Sequence, residues 1–395
     1  MVRIQVGCAL HTKKWWAPLL LSSPAPASPD ASWGSGTRRR GGPSSWPRAA
    51  HTTINEAKRA DIMIKAKDIS DYSRRVFVET SAVFLGAAVL GGSLFGCRKK
   101  EKATSENSRL PARGREWAGF KYAICNESMA KLSWQEQCQI AAKAGYKGIE
   151  VAAFTLVEKG VQEITPARRK EMVSVMKNNG IECVGLHWLL TPPPEGLHFT
   201  TPDAALRQTT ISYFDELIDF CSDLDGPYMI FGSPKQRNTR GISVEEAKKY
   251  FAESLAKVAD HAQARGVKIL IESLGKGITD VVNTMAEALE LTKQVNHPAV
   301  KIMFDFHNTD DETEPLDVLI KKYFKHMYHV HVQEMDGRHL GTGTAVNDFV
   351  KAFQVLKDLR YDKWISLEVF DFSPGGKRIA EESMKVLKEI ESKLL

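Results

Sequence analysis

Cysteine is scarce in this chain of 395 residues: there are 6, none spaced as CxxC. That excludes a zinc ribbon or a thioredoxin-type redox motif, and leaves Cys125, Cys138, Cys183 and Cys221 to read as buried free thiols in apolar patterns. No GxGxxG or GxxxxGK[ST] stands where a strand would pass into a helix, so a dinucleotide fingerprint and a P-loop are both missing. Basic charge is also lacking where a nucleic-acid surface would need it. Residues 118–395 hold 34 Lys and Arg against 39 Asp and Glu, a balance of −5, whereas residues 1–117 hold 20 against 9. A part at −5 is unsuited to phosphate-backbone binding, which needs clustered Lys and Arg, so no nucleic-acid partner is expected. What is present, 43% hydrophobic and 26% charged residues, excludes a wholly disordered or fibrous chain.

Residues 1–62 are rich in Pro, Ser, Gly, Arg and Trp without helical or strand period, and are expected to be disordered, or an untranslated leader if synthesis starts at Met63. In residues 63–97, Arg74-Arg75 precede the apolar stretch Ala82–Phe95, which is shorter than the about 20 residues of a spanning helix. The pair and the stretch resemble a bacterial twin-arginine export signal, and Leu94-Phe95-Gly96-Cys97 resembles a lipoprotein cleavage box. The resemblance implies a periplasmic or membrane-anchored protein with a lipid on Cys97; a single N-terminal anchor helix is the alternative. Residues 98–118 read as a polar tether, and residues 119–395 as the folded domain.

From residue 119 the pattern is regular. Short apolar or β-branched runs lie at 120–125, 147–152, 181–187, 227–232, 267–272, 300–305, 327–332 and 364–369. Amphipathic stretches separate them, among them Pro166–Asn179, Val244–Arg265 and Asn347–Leu359. Ser133 with Glu136 and Ser243 with Glu246 have capping-box spacing, and Asn179-Gly180 and Arg265-Gly266 mark helix exits. Eight strand-then-helix units predict an α/β fold of the (β/α)8 barrel type; a doubly wound open sheet is the structural alternative.

Chemistry in such a barrel sits at the C-terminal ends of the strands. Ionisable groups collect there: Glu150 near the end of the second strand, His187 and Trp188 at the third, Glu272 at the fifth, Asp305 at the sixth with His307 beyond, His329 and His331 on the seventh, and Glu368 near the end of the eighth. Burying such groups is costly unless they share a cation or pair. Glu272, Asp305, His331 and Glu368 offer three carboxylates and an imidazole, a set suited to Mn2+, Mg2+ or Co2+ ahead of Zn2+. His329 and His331 share a strand face; His331 is preferred as nearer the strand end. His187 and Trp188 read either as core or as the lining of a mouth where an indole stacks on a sugar. Lys235, in GSPKQR after the fourth strand, reads either as a solvated loop residue or as a donor to substrate, and Arg338 follows the seventh strand in DGRHLGTG.

The segments ILIESLG, KIMFDFHN, HVHVQEMDGRHLGTG and WISLEVF resemble, in this order, the xylose-isomerase-like superfamily of sugar isomerases and epimerases, over roughly residues 119–392. The resemblance to its ketose 3-epimerase branch implies that Glu272, Asp305, His331 and Glu368 hold one divalent metal and that Glu272 and Glu368 move the proton. It further implies that His307 and Arg338 touch substrate oxygens, although the histidine stands at +2 from Asp305 where that branch more often has +3. Together with Glu150, His187, Trp188 and Lys235, these make up the expected substrate contacts. Endonuclease IV shares the barrel but uses more histidines for a three-zinc site. The implied reaction removes a C–H proton next to a carbonyl to give an enediolate and returns it on the opposite face. Export favours free sugars, oxidised sugars or glycosides over sugar phosphates. Alternatives are a 3-keto-glycoside lyase using the same enolate chemistry and a non-catalytic sugar-binding lipoprotein. Self-association stays open.

Overall fold

The computed structural model describes residues 117–395; the expected leader, signal, lipidated cysteine and all but the last two residues of the tether lie outside them. Those last two already belong to the fold, because Trp117 meets Phe120 edge-on at 4.8 Å and packs on the core.

Eight parallel strands close into a barrel in chain order: β1 (Lys121–Cys125), β2 (Gly148–Ala152), β3 (Glu182–His187), β4 (Tyr228–Phe231), β5 (Lys268–Ile271), β6 (Val300–Asp305), β7 (Met327–Val332) and β8 (Trp364–Leu367). β8 pairs with β1, so no edge is left open. The principal helices are α1 (Trp134–Ala144), α2 (Pro166–Asn178), α3 (Ala204–Asp223), α4 (Val244–Ala264), α5 (Met285–Val295), α6 (Leu316–Tyr323), α7 (Ala345–Asp348), α8 (Val350–Asp358) and α9 (Gly376–Ser392). The open-sheet alternative is excluded, and the (β/α)8 expectation holds.

Local chemistry explains the boundaries. Ser133 and Glu136 form a complete capping box at α1. At α4 only half of the expected box forms: Ser243 accepts the Glu246 N–H, while the Glu246 carboxylate accepts the Tyr250 hydroxyl at 3.1 Å. The helix expected over Asn347–Leu359 is interrupted at Phe349, whose ring packs inward on Phe306 at 4.6 Å.

Alternation along the strands sorts side chains to two sides. Ile149, Phe231, Ile271, Phe304, Val330 and Leu367 face the helices in one continuous core. Ala123, Val184 and Trp364, and next to them Ile230, Leu270 and Met303, form apolar clusters inside the barrel. Two irregularities adjust this register. Between β6 and β7, Ile302 pairs with Met327 and Phe304 with Val330, one extra residue on β7. Between β2 and β3 the pairing jumps from Ile149–Cys183 to Glu150–Gly185. Gly185, at φ +145°, lies where a Cβ would collide with the Tyr228 carbonyl, so only glycine fits.

Candidate metal centre and active site

Two residues up from Leu270 and Met303 of the apolar layer, and two up from the buried His329 and Ser366, the strands carry polar groups. Glu272 follows β5 directly, Asp305 ends β6, His331 lies near the end of β7 and Glu368 follows β8. All four are buried, and one ligand atom from each lies within 4.8 Å of the others. His331 Nδ1 is 3.1 Å from Glu368 Oε2, and its Nε2 is 2.9 Å from Glu150 Oε1. One imidazole nitrogen thus turns to the cluster while the other is fixed by a carboxylate, the usual support of a metal-binding histidine. The Asn308 amide donates to both Asp305 Oδ2 at 2.7 Å and Glu272 Oε1 at 3.1 Å. Asp305 Oδ1 accepts the His307 N–H at 2.8 Å.

Electrostatics separate the two glutamates. Burial, then the negative Glu368 and Asp305, push Glu272 well above the usual carboxylate range. Glu368 is also buried, but His331 and the hydrogen bonds from His331 and Trp188 outweigh that and hold it low. Burial followed by Glu368 raises Asp305. A pair of carboxyl groups pushed apart in this way is suited to acid and base roles. Three converging carboxylates with one imidazole also fit a hard divalent cation, which supplies the missing counter-charge.

Glu150, expected as a substrate contact, lies within β2, which ends at Ala152 as the apolar run 147–152 predicts. Its carboxylate, fully buried, meets His331 Nε2 at 2.9 Å and His329 Nε2 at 2.8 Å, and these histidines hold it well below its usual range against the effect of burial. It supports the cluster from below. His187 is buried too, with Nε2 2.8 Å from Glu127 Oε2.

Trp188 is half-buried and held at φ +51°, an uncommon conformation for a bulky residue. Its indole N–H donates to Glu368 Oε1 at 2.6 Å, and its ring stacks on Phe154 at 5.7 Å. The expected sugar-stacking residue is therefore also tied to one of the paired glutamates. His307 sits beside the cluster with Nδ1 2.9 Å from the Met335 carbonyl. Arg338 pairs with Asp336 of its own loop at 2.7 Å and is about 41% exposed, and Lys235 is exposed on a 3-10 turn. Within its own loop Arg338 also donates to the Thr342 carbonyl at 3.3 Å.

Sequence reasoning missed Asn308 and Glu127, and read Arg237 and Gly232 only as parts of the donor-bearing loop GSPKQR. Asn308 occupies the +3 position from Asp305 at which the resemblance called for a histidine, so that departure was itself the signal. Arg237 is fully buried, donates to the Phe231 carbonyl at 2.9 Å, and is pushed down to about 10 by burial, opposed by Glu272. Gly232 leaves room for Glu272, since a Cβ there would collide with Oε2.

Fold and site define a closed (β/α)8 barrel with a carboxylate–imidazole cluster at the C-terminal ends of its strands. The xylose isomerase-like TIM barrel model matches residues 138–390, and the chain belongs to that family. A probable ketose 3-epimerase of Synechocystis is 25% identical over 277 residues, 64% of this chain and 88% of the relative. The crystal structure of D-psicose 3-epimerase with D-tagatose from Clostridium cellulolyticum H10 superposes with a TM-score of 0.60 at 21% identity, covering 70% of this chain and 99% of that one. The apo structure of 3-keto-D-glucoside 4-epimerase from E. coli gives 0.58 at 16% identity, covering 69% and 100%. At these identities the structural likenesses establish the fold alone.

Proposed function

We propose that the chain is a divalent-metal-dependent sugar epimerase or isomerase that moves a proton next to a carbonyl. The observation that carries this reading is the meeting of Glu272 and Glu368, with Asp305 and His331, within 4.8 Å at the mouth of the barrel. Binding alone needs no pair of bases. The Synechocystis relative is named as a probable ketose 3-epimerase, which supports this class and leaves the lyase alternative without support.

Glu272, Asp305, His331 and Glu368 are the groups that would hold Mn2+, Mg2+ or Co2+. A bound divalent ion supplies positive charge for substrate oxygens and for the negative charge that grows as the C–H proton leaves. The chain's own residues do the rest. One of Glu272 and Glu368 removes the proton and the other returns it from the opposite face. Trp188 fixes Glu368 Oε1, Asn308 orients Glu272 and Asp305, and Glu150 sets the face that His331 presents. Phe154 and Trp188 give the mouth an apolar wall that limits water at the reacting carbon. The substrate class we infer is a free ketose or a keto sugar derivative, in keeping with the export signal that the sequence resembles.

Incubating the protein and Mn2+ with a panel of free ketoses and 3-keto glycosides, followed by chromatography, tests the reading. It predicts metal-dependent formation of an epimer or isomer, lost with a chelator. Release of an aglycone would replace it with the lyase; no conversion across the panel with bound metal verified would favour a binding protein.

A further inference from the structure

Among the described residues there are four cysteines, all free and buried. Cys138, Cys183 and Cys221 pack in the apolar layer between strands and helices. Cys125 does not. It ends β1 on the inward side, one step above Ala123, among charged groups. One carboxylate oxygen of Glu127 and one ring nitrogen of His187 lie with its Sγ inside a mutual 4.8 Å; Cys125, Glu150 and His331 satisfy the same limit. A thiol used only to fill space would sit with the apolar groups, as the other three do.

We propose that Cys125, Glu127 and His187 form a second cation site, distinct in ligands and in metal preference from the oxygen-rich cluster, and suited to Zn2+. Sulfur, nitrogen and carboxylate oxygen form a zinc donor set that leaves a fourth position open. Geometry at the two places is alike. In the oxygen-rich cluster a carboxylate and an imidazole approach to 3.1 Å, between Glu368 and His331; here Glu127 and His187 approach to 2.8 Å. A simple ion pair would account for that one contact. It would leave the buried Glu127 Oε1 without a hydrogen-bond partner and His187 Nδ1 with only Glu150 Oε1, at 3.5 Å.

This site stands independently of the reaction proposed above, and its test needs no substrate. The full chain is stripped with a chelator, loaded with Zn2+ or Co2+, passed over a desalting column and analysed for metal by mass spectrometry. The expected result is two equivalents per chain and, with Co2+, a near-ultraviolet thiolate-to-cobalt charge-transfer band. Cys125→Ser is expected to lose the band and one equivalent. Glu272→Gln is expected to keep the band and lose the other equivalent. A Cys8→Ser/Cys97→Ser variant is expected to keep both, which attributes the band to the barrel should Cys125→Ser fail to fold. One equivalent in the wild type, or two with no thiolate band, overturns the proposal.

Discussion

The barrel interior has two storeys only two residues apart along the same strands, about 6–7 Å. On the lower, Ala123, Ile230, Leu270 and Met303 are apolar and buried. On the upper, the corresponding positions are Cys125, Gly232, Glu272 and Asp305, also buried. Backbone and burial are nearly constant between the storeys, so the change in chemistry marks a change in purpose. The lower storey gains from desolvating apolar surface, on the order of 25 cal/mol per Å2. The upper storey gives up that gain and gathers groups that are costly to bury unless paired or cation-bound. Stability is therefore expected to reside below and chemistry above.

Substitutions can break that division. The largest effect is expected from Glu272→Gln and Glu368→Gln, each lowering turnover by roughly 10²–10⁴-fold, the range for a positioned acid or base, with thermal unfolding still cooperative. Steady-state kinetics beside calorimetry checks it; near-normal turnover in either variant would remove the two-base mechanism. One storey down, Leu270→Ala is expected to cost about 2–5 kcal/mol in denaturant unfolding while kcat per folded molecule stays within about twofold. A matching fall in kcat would show that the storeys are not separable. Gly232→Ala sharpens the boundary. Its methyl group displaces Glu272 Oε2, and about a 10²-fold loss of turnover is expected from a misplacement of this kind. The smallest effect is expected from Glu150→Gln, which loosens the support of His331: Mn2+ affinity measured by calorimetry should fall about 10–100-fold, whereas Leu270→Ala should leave it unchanged.

The contrast between storeys is also what made the fold and much of the site legible. A strand buried on both faces reads as an apolar run, so Glu272, Asp305, His331 and Glu368 stand out against it, and closure in chain order puts them together. The partners of Glu150 were not legible, because its contacts with His329 and His331 depend on how strands distant in sequence meet across the barrel. The facing of the β7 histidines was readable from alternation, but the extra residue in that strand was not. Loop residues were least readable. Arg237 and Lys235 share one motif, yet the first is fully buried and the second exposed, a difference made by the path of the loop rather than by residue type. Glu127 lies in the 3-10 turn after β1, where strand alternation no longer applies.

The central claim is that the upper storey exchanges a carbon-bound proton through Glu272 and Glu368. Incubation with Mn2+ in D2O, with free ketoses and 3-keto glycosides followed by NMR, tests it most directly. The account predicts metal-dependent deuterium incorporation at a single carbon next to a carbonyl, absent in both glutamine variants. Metal bound at the cluster with no exchange in any substrate, or exchange undiminished in Glu272→Gln and Glu368→Gln, would contradict it.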